Sequence, residues 1–311
     1  TVYYEFFNPK AEKELEVGFE ASPPAGDADL YPRNGQHPYI SKFTVALNGA
    51  QLPYKVAIVQ DSLYFRNGKY KAITSAQASA SLEFSDTPEF FYVYHFKARF
   101  KTGLNIIQHT YTVELSSSVY EHYRIDYLLT PALRWANKQI DDFTLRVDPG
   151  LMQDVHIPHT FFNSSVEWQF TGKGKSVLAK KKKGDKAETD STEFFIQNGA
   201  IEFAAKSFKP AGELYVCALR SGFGEGPENF DYRKQALPFA VIGQPEIRNA
   251  LNDLSKRILR NLPFARRGNV FKSPELQSYF EKQKWYLRDS AYLPDMDLLL
   301  PEERAWIMKW E

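Results

Sequence analysis

The chain has 311 residues, enough for two or three domains with a sizeable core. Lys and Arg number 39 against 38 Asp and Glu, so no global basic surface argues for nucleic-acid binding. No apolar run approaches the ~20 residues that span a bilayer, and a single cysteine excludes an internal disulfide framework or a multi-cysteine metal site.

Aromatic residues make up 15% of the chain, with 24 Phe and 18 Tyr, which suits pleated and half-buried surfaces. Residues 2–7 read as a strand stopped by Asn8-Pro9, and residues 15–20 alternate with a period of two. Ser22-Pro23-Pro24-Ala25-Gly26-Asp27 is loop. Residues 43–47 run into Asn48-Gly49, and residues 63–66 into Asn67-Gly68, two strong hairpin signals. Residues 90–98, 107–115 and 123–130 are further strands, and residues 131–135 a helical turn with Pro131 near its start. Residues 143–147 alternate again before Asp148-Pro149-Gly150. Strands around Trp168, Phe194, Phe203 and Cys217 follow. Cys217, in an apolar strand, reads as a small buried hydrophobe. The expectation is an antiparallel β-sandwich over residues 1–220, with a sub-boundary near 149 left open, and a connector over 221–243 packed by Phe230, Tyr232 and Phe239.

The period then changes to 3.6. Ile247, Leu251, Leu254, Ile258, Leu259 and Leu262 share a helical face, and regular helix is expected to concentrate after Pro245. Pro263 lacks an N–H, so a kink or break is expected there. Gly268 supplies a C-cap. Ser273-Pro274-Glu275 reads as a helix start with Ser273 capping, and Pro301-Glu302-Glu303 opens a last helix carrying Trp306 and Trp310. The fold class is α+β by segregated domains, with a small all-α module over 244–311.

Leu259-Arg260-Asn261, Phe264-Ala265-Arg266-Arg267-Gly268, Val270-Phe271-Lys272, Leu276 to Tyr279-Phe280, and Trp285-Tyr286 are together similar to the YARHG signature. Phe264 stands for the family's Tyr and Arg267 for its His. The resemblance implies an exported bacterial protein, and the start at Thr1 rather than Met suits a form whose signal peptide has been removed. It implies no known activity for the module. Without the His, Arg266 or Arg267 is expected to anchor a carbonyl or carboxylate, with Phe271, Phe280 and Trp285 packed around it. The strand spacing around Tyr3, Phe43, Phe96, Tyr111 and Leu128-Leu129-Thr130 also resembles an uncharacterised family of exported bacterial β proteins.

The search for chemistry yields little. Asp154 and His156 would share a face if their segment were a strand, but the expectation for Asp154, His156 and His159 is loop and surface, with no metal site. Gly174-Lys175-Ser176 lacks the first Gly of a P-loop, with Gln169 in its place. Asp295-Met296-Asp297, with Glu302 and Glu303, lacks the turn Gly of a calcium loop. Lys180-Lys181-Lys182-Lys183 reads as a solvated hairpin tip, because acids follow at once. No catalytic residue, cofactor or metal is expected. The reading is an extracytoplasmic, non-catalytic interaction or scaffolding protein, with an unknown protein or a cell-envelope glycan as partner. The alternatives are a glycan-binding module using exposed aromatics, or a hydrolase with a dispersed site.

Overall fold

A computed structural model describes residues 1–24, 28–61, 63–83, 88–162, 168–180, 190–220, 229–241 and 246–311. Lys181-Lys182-Lys183 of the lysine run, Gly222 to Pro227 of the connector, and Pro245 lie outside the described residues. The chain forms two compact units, Thr1–Ser118 with Ile125–Pro131, and Val119–Arg124 with Ala132–Glu311.

In the first unit, β1 (Val2–Asn8), β2 (Lys13–Ala21), β3 (Ile40–Leu47), β4 (Ala50–Gln51), β5 (Lys55–Val59), β6 (Phe65–Arg66), β7 (Lys69–Tyr70), β8 (Phe91–Phe100) and β9 (Gly103–Val113) are antiparallel. They form the sheets β1-β9-β3-β4 and β2-β8-β5, and a two-stranded hairpin β6-β7. The two larger sheets share one core. Phe43, Val45 and Ile107 come from one sheet, and Tyr92, Tyr94, Phe96 and Phe100 from the other. Both hairpin signals hold. Asn48 and Gly49 have φ of 51° and 85°, and Asn67 and Gly68 have 51° and 75°, the left-handed pair that a tight two-residue turn requires.

Helix is not confined to the C-terminus. Helix α1 (Ser75–Leu82) lies in this unit, with Ala78 and Leu82 in the core. The small residues of SAQASASL carry almost no apolar periodicity. What starts the helix is a reciprocal cap, in which the Gln77 N–H donates to Thr74 Oγ1 at 3.2 Å and the Thr74 N–H to Gln77 Oε1 at 2.9 Å.

β10 (Glu121–Tyr127) begins in the second unit and ends in the first, and a 3₁₀ turn (Thr130–Arg134) follows. Strands β11 (Ile140–Val147), β12 (Gln153–Pro158), β13 (Gln169–Phe170), β14 (Lys173–Ala179), β15 (Ser191–Asn198), β16 (Ile201–Phe208) and β17 (Leu214–Leu219) form the sheets β10-β17-β12-β15-β14 and β11-β16-β13. Phe194 of the first meets Trp168 and Phe170 at the second, ring to ring at 5.2 and 6.2 Å. In the connector, Phe230, Leu237 and Phe239 are buried, and the short β18 (Asn229–Phe230) pairs in parallel with β19 (Asn249–Ala250).

Helices α2 (Asp253–Arg266), α3 (Pro274–Glu281) and α4 (Pro301–Lys309) complete this unit. Their apolar faces share a single core with Met152 and Phe195 of the sheet region. The compact unit that holds these helices also holds the strands from Ala132 onward. The outer face of β14-β15 is apolar at Phe195 and Val177, and the helices are what covers it.

Pro263 neither breaks nor ends α2, which runs on to Arg266. Proline leaves the Leu259 carbonyl without its helical donor, and the Trp306 indole N–H supplies one at 2.7 Å. The helix closes at Gly268, with φ of 89° and the Asn269 N–H donating to the Phe264 carbonyl at 3.1 Å. Ser273 does not cap α3 with its side chain; its hydroxyl donates to Glu275 at 2.6 Å instead.

Candidate functional site

The residues of the C-terminal signature form a core, not a cleft. Arg266 is buried, and its Nη2 donates to the carbonyls of Pro238 and Ala240, both at 3.1 Å. Burial pulls its guanidinium down to about 10. Arg267 grips Glu303 with two parallel bonds of 2.8 and 2.7 Å, and also donates to the carbonyls of Pro263 and Leu298. Ala265, Tyr279, Phe280, Trp285 and Tyr286 are buried, while Phe264 and Phe271 are half-buried. Phe271 stacks on Phe280 at 5.0 Å, the Trp285 indole donates to the Leu237 carbonyl at 2.7 Å, and the Tyr286 hydroxyl donates to the Asn269 carbonyl at 2.6 Å. At Gly268 an added Cβ would meet the Leu287 carbonyl oxygen at 2.2 Å, so only glycine fits. Glu303, read as an acid of a helix start, is the buried counter-ion of this core. Gly174-Lys175-Ser176 lies in β14, where Lys175 donates to the Tyr286 carbonyl at 3.3 Å.

Asp154 and His156 are not in a loop. They lie on β12, between β17 and β15, because Val155 and Ile157 supply the alternating apolar face of a central strand. His156 pairs in register with Glu193 and with Cys217. His159 lies just past the strand, with Nε2 2.7 Å from Thr192 Oγ1. Among the described residues, no three His, Cys, Asp or Glu side chains come close enough together to hold a metal ion.

A constellation that the sequence did not single out lies on the outer face of β2-β8-β5. Strand β2 turns Leu15, Val17 and Phe19 one way and Glu14, Glu16, Gly18 and Glu20 the other. Opposite them, β8 presents Val93, His95 and Lys97. Glu16 Oε1 lies 2.7 Å from His95 Nδ1 and accepts from the Tyr70 hydroxyl at 3.4 Å. The Tyr64 hydroxyl donates to Glu20 at 2.6 Å. Gly18 leaves room for this: a Cβ there would come within 2.9 Å of Val93 and 3.4 Å of the Tyr64 oxygen.

The β6-β7 hairpin forms the roof. Tyr64 and Tyr70 are stacked, with 6.0 Å between centroids and 11° between planes, and Tyr70 lies 3.9 Å from the His95 ring. Burial, then the Glu16 charge, raises the Tyr70 hydroxyl well above the ordinary phenol range, so it remains a donor. Phe65 is 40% exposed and sits 4.8 Å from Tyr70. Phe65 is thus exposed to solvent beside half-buried Tyr70, next to a bonded cluster of Tyr70, Glu16 and His95. The Asn67-Gly68 signal predicts the hairpin, but nothing local says which sheet face it folds onto. A second pair of exposed aromatics, Tyr3 and Phe7, lies on β1 beside the exposed Leu104 of β9.

The arrangement of Phe264, Arg266, Arg267, Gly268, Phe280 and Trp285 corresponds to a known module. Residues 245–310 form a YARHG domain. No curated protein matches the chain. Among solved structures, a Legionella pneumophila protein described as a "putative nutrient binding protein" is similar, with a TM-score of 0.45 and 16% identity over 99% of this chain and 85% of that one. A likeness at that level says nothing of this chain's ligand. No helix among the described residues is long and apolar enough to cross a membrane.

Proposed function

We propose that this is a non-catalytic, extracytoplasmic interaction protein whose first unit binds a cell-envelope glycan on the β2-β8-β5 face. The observation that carries the reading is Phe65, exposed beside the Tyr64–Tyr70 stack, whose hydroxyls reach the carboxylates of Glu20 and Glu16. Sugar rings offer C–H faces to aromatics and hydroxyls to carboxylates, and this face supplies both kinds of contact side by side. The YARHG domain supports the exported setting. Its motif residues are spent on the domain's own core, which leaves recognition to surfaces elsewhere.

Calorimetric titration of the full chain with chitotetraose, a soluble oligosaccharide of envelope-type amino sugar, tests this reading. Phe65→Ala should weaken binding about tenfold, as loss of one aromatic platform does. Phe7→Ala, on the other sheet, should leave it unchanged. No saturable binding by the unmodified chain, or a loss that follows Phe7 instead of Phe65, would sink the assignment to this face.

A further inference from the structure

The outer face of the five-stranded sheet carries polar groups that neither the YARHG core nor the proposed glycan face uses. Asp154 and His156 of β12 lie on this face with Glu193 of β15, and the charge of Asp154 reaches Tyr123 of β10. The register places Glu193 and Cys217 directly across from His156, and Asp154 lies two residues along the same face. Glu193 is already paired with Lys284, whose ammonium also sits 5.6 Å over the Phe195 ring. Cys217 donates to the His156 carbonyl at 3.6 Å.

The other three groups have no side-chain hydrogen-bond partner among the described residues. Neither Asp154, His156 nor Tyr123 makes a side-chain hydrogen bond to another described side chain, and His156 Nδ1 is buried without a partner. All three residues are half-buried, so the groups are drawn out of water without being sealed off. The charges of Lys284 and Arg266 reach Asp154, while their hydrogen bonds go to Glu193 and to the carbonyls of Pro238 and Ala240.

We propose that Asp154, His156 and Tyr123 form a recess for an ammonium or guanidinium group of a small ligand. All three can act as acceptors: the carboxylate, the tyrosine hydroxyl, and the Nδ1 of a neutral imidazole with its proton on Nε2. An ammonium offers three N–H donors and the direct ion pair that Asp154 does not make among the described residues. The electrostatics agree. Burial, then Glu193, pushes Asp154 up to about 6, and burial lowers His156, so the carboxylate is ionised and the imidazole neutral at pH 7. Burial, then Asp154, raises Tyr123 to about 12.

Calorimetric titration of the full chain at pH 7.5 with putrescine and agmatine, and with the uncharged diol 1,4-butanediol, tests the recess. The two amines should bind saturably and the diol should not. Asp154→Asn should weaken amine binding at least about tenfold, as expected for a charge-assisted bond, and Tyr123→Phe by a smaller factor. Both variants should melt as cooperatively as the parent. Binding should fade below pH 6, as Asp154 takes a proton and His156 becomes cationic; Glu193, Lys284, Arg266 and His159 also face this region. Absence of amine binding, equal binding of the diol, or full binding by Asp154→Asn would each overturn the proposal.

Discussion

A carboxyl drawn out of water prefers its neutral form, and Asp154 shows the consequence for stability. Its folded value of about 6 lies above the ordinary 3.8, so its contribution favours folding at low pH and is lost as pH rises through 6. Asp154→Asn should therefore be more stable than the parent by about 2–3 kcal/mol at pH 7.5, and the gap should close near pH 4. Urea titrations of both proteins across that range measure it; a constant gap would mean that Asp154 is not the titrating group. The first unit carries the opposite case. His37 and His109 are each pulled down to about 4 by burial. His37 is held neutral between the Tyr39 N–H, which donates to Nδ1 at 3.1 Å, and the Ser22 carbonyl, 3.0 Å from Nε2. His109 lies among Phe19, Phe43 and Tyr4, with ring centroids 4.6 to 5.8 Å away. Both stabilise the fold above pH 6.5 and lose that contribution as pH falls toward 4, by up to about 3 kcal/mol each. Replacing His109 with Phe should flatten the acid limb of the stability profile, whereas an unchanged limb would show that its imidazole protonates without unfolding.

At the scale of elements, α2 depends on its neighbour α4. The Leu259 carbonyl, left without a helical donor by Pro263, is bonded by Trp306, and the next turn is held by Arg267 on Glu303. Trp306→Phe should cost about 1–3 kcal/mol for the buried acceptor left unmade, in addition to a packing loss. In a Pro263→Ala background the restored N–H can reach the same carbonyl, so the cost should be smaller. Additivity in this double-mutant cycle would disprove the exchange of donors. Arg267→Met should cost about 3–5 kcal/mol by stranding Glu303, and pairing it with Glu303→Leu should recover most of that loss. The sequence alone could not forecast these links. It marks Pro263 as a defect in the ladder, and the repair comes from a residue 43 positions away. By contrast, strand alternation, the two Asn-Gly turns and the α3 and α4 starts are legible, because each depends on residues within a few positions. Helix α1 escapes notice because its small residues leave no apolar stripe, and β12 because Pro158 and two histidines look like loop.

Across the whole molecule, the change of hydrophobic period near residue 245 marks where the C-terminal helices begin, whereas the compact unit that holds them already includes the strands from Ala132 onward. Periodicity reports which face of an element is apolar; it does not report what that face will cover. Here Ile258, Leu259, Leu262, Phe280 and Trp285 share a core with Phe195 and Met152. Polar ties reinforce it. The Gln197 amide donates to the Arg266 carbonyl at 2.8 Å, and Lys173 and Lys175 reach Asp289 and the Tyr286 carbonyl. Removing Trp285, 4% exposed and bonded to Leu237, should cost about 3–5 kcal/mol. The loss should be felt by β14 and β15 as well as by the helices, because both sides of the core lose contacts together. Amide exchange of Trp285→Ala should therefore rise in α2, α3, β14 and β15, while β8 and β9 of the first unit keep their protection. If exchange rose in the helices alone, the YARHG domain would be a separate folding unit resting on the sheet, and the shared core would contribute little to its stability.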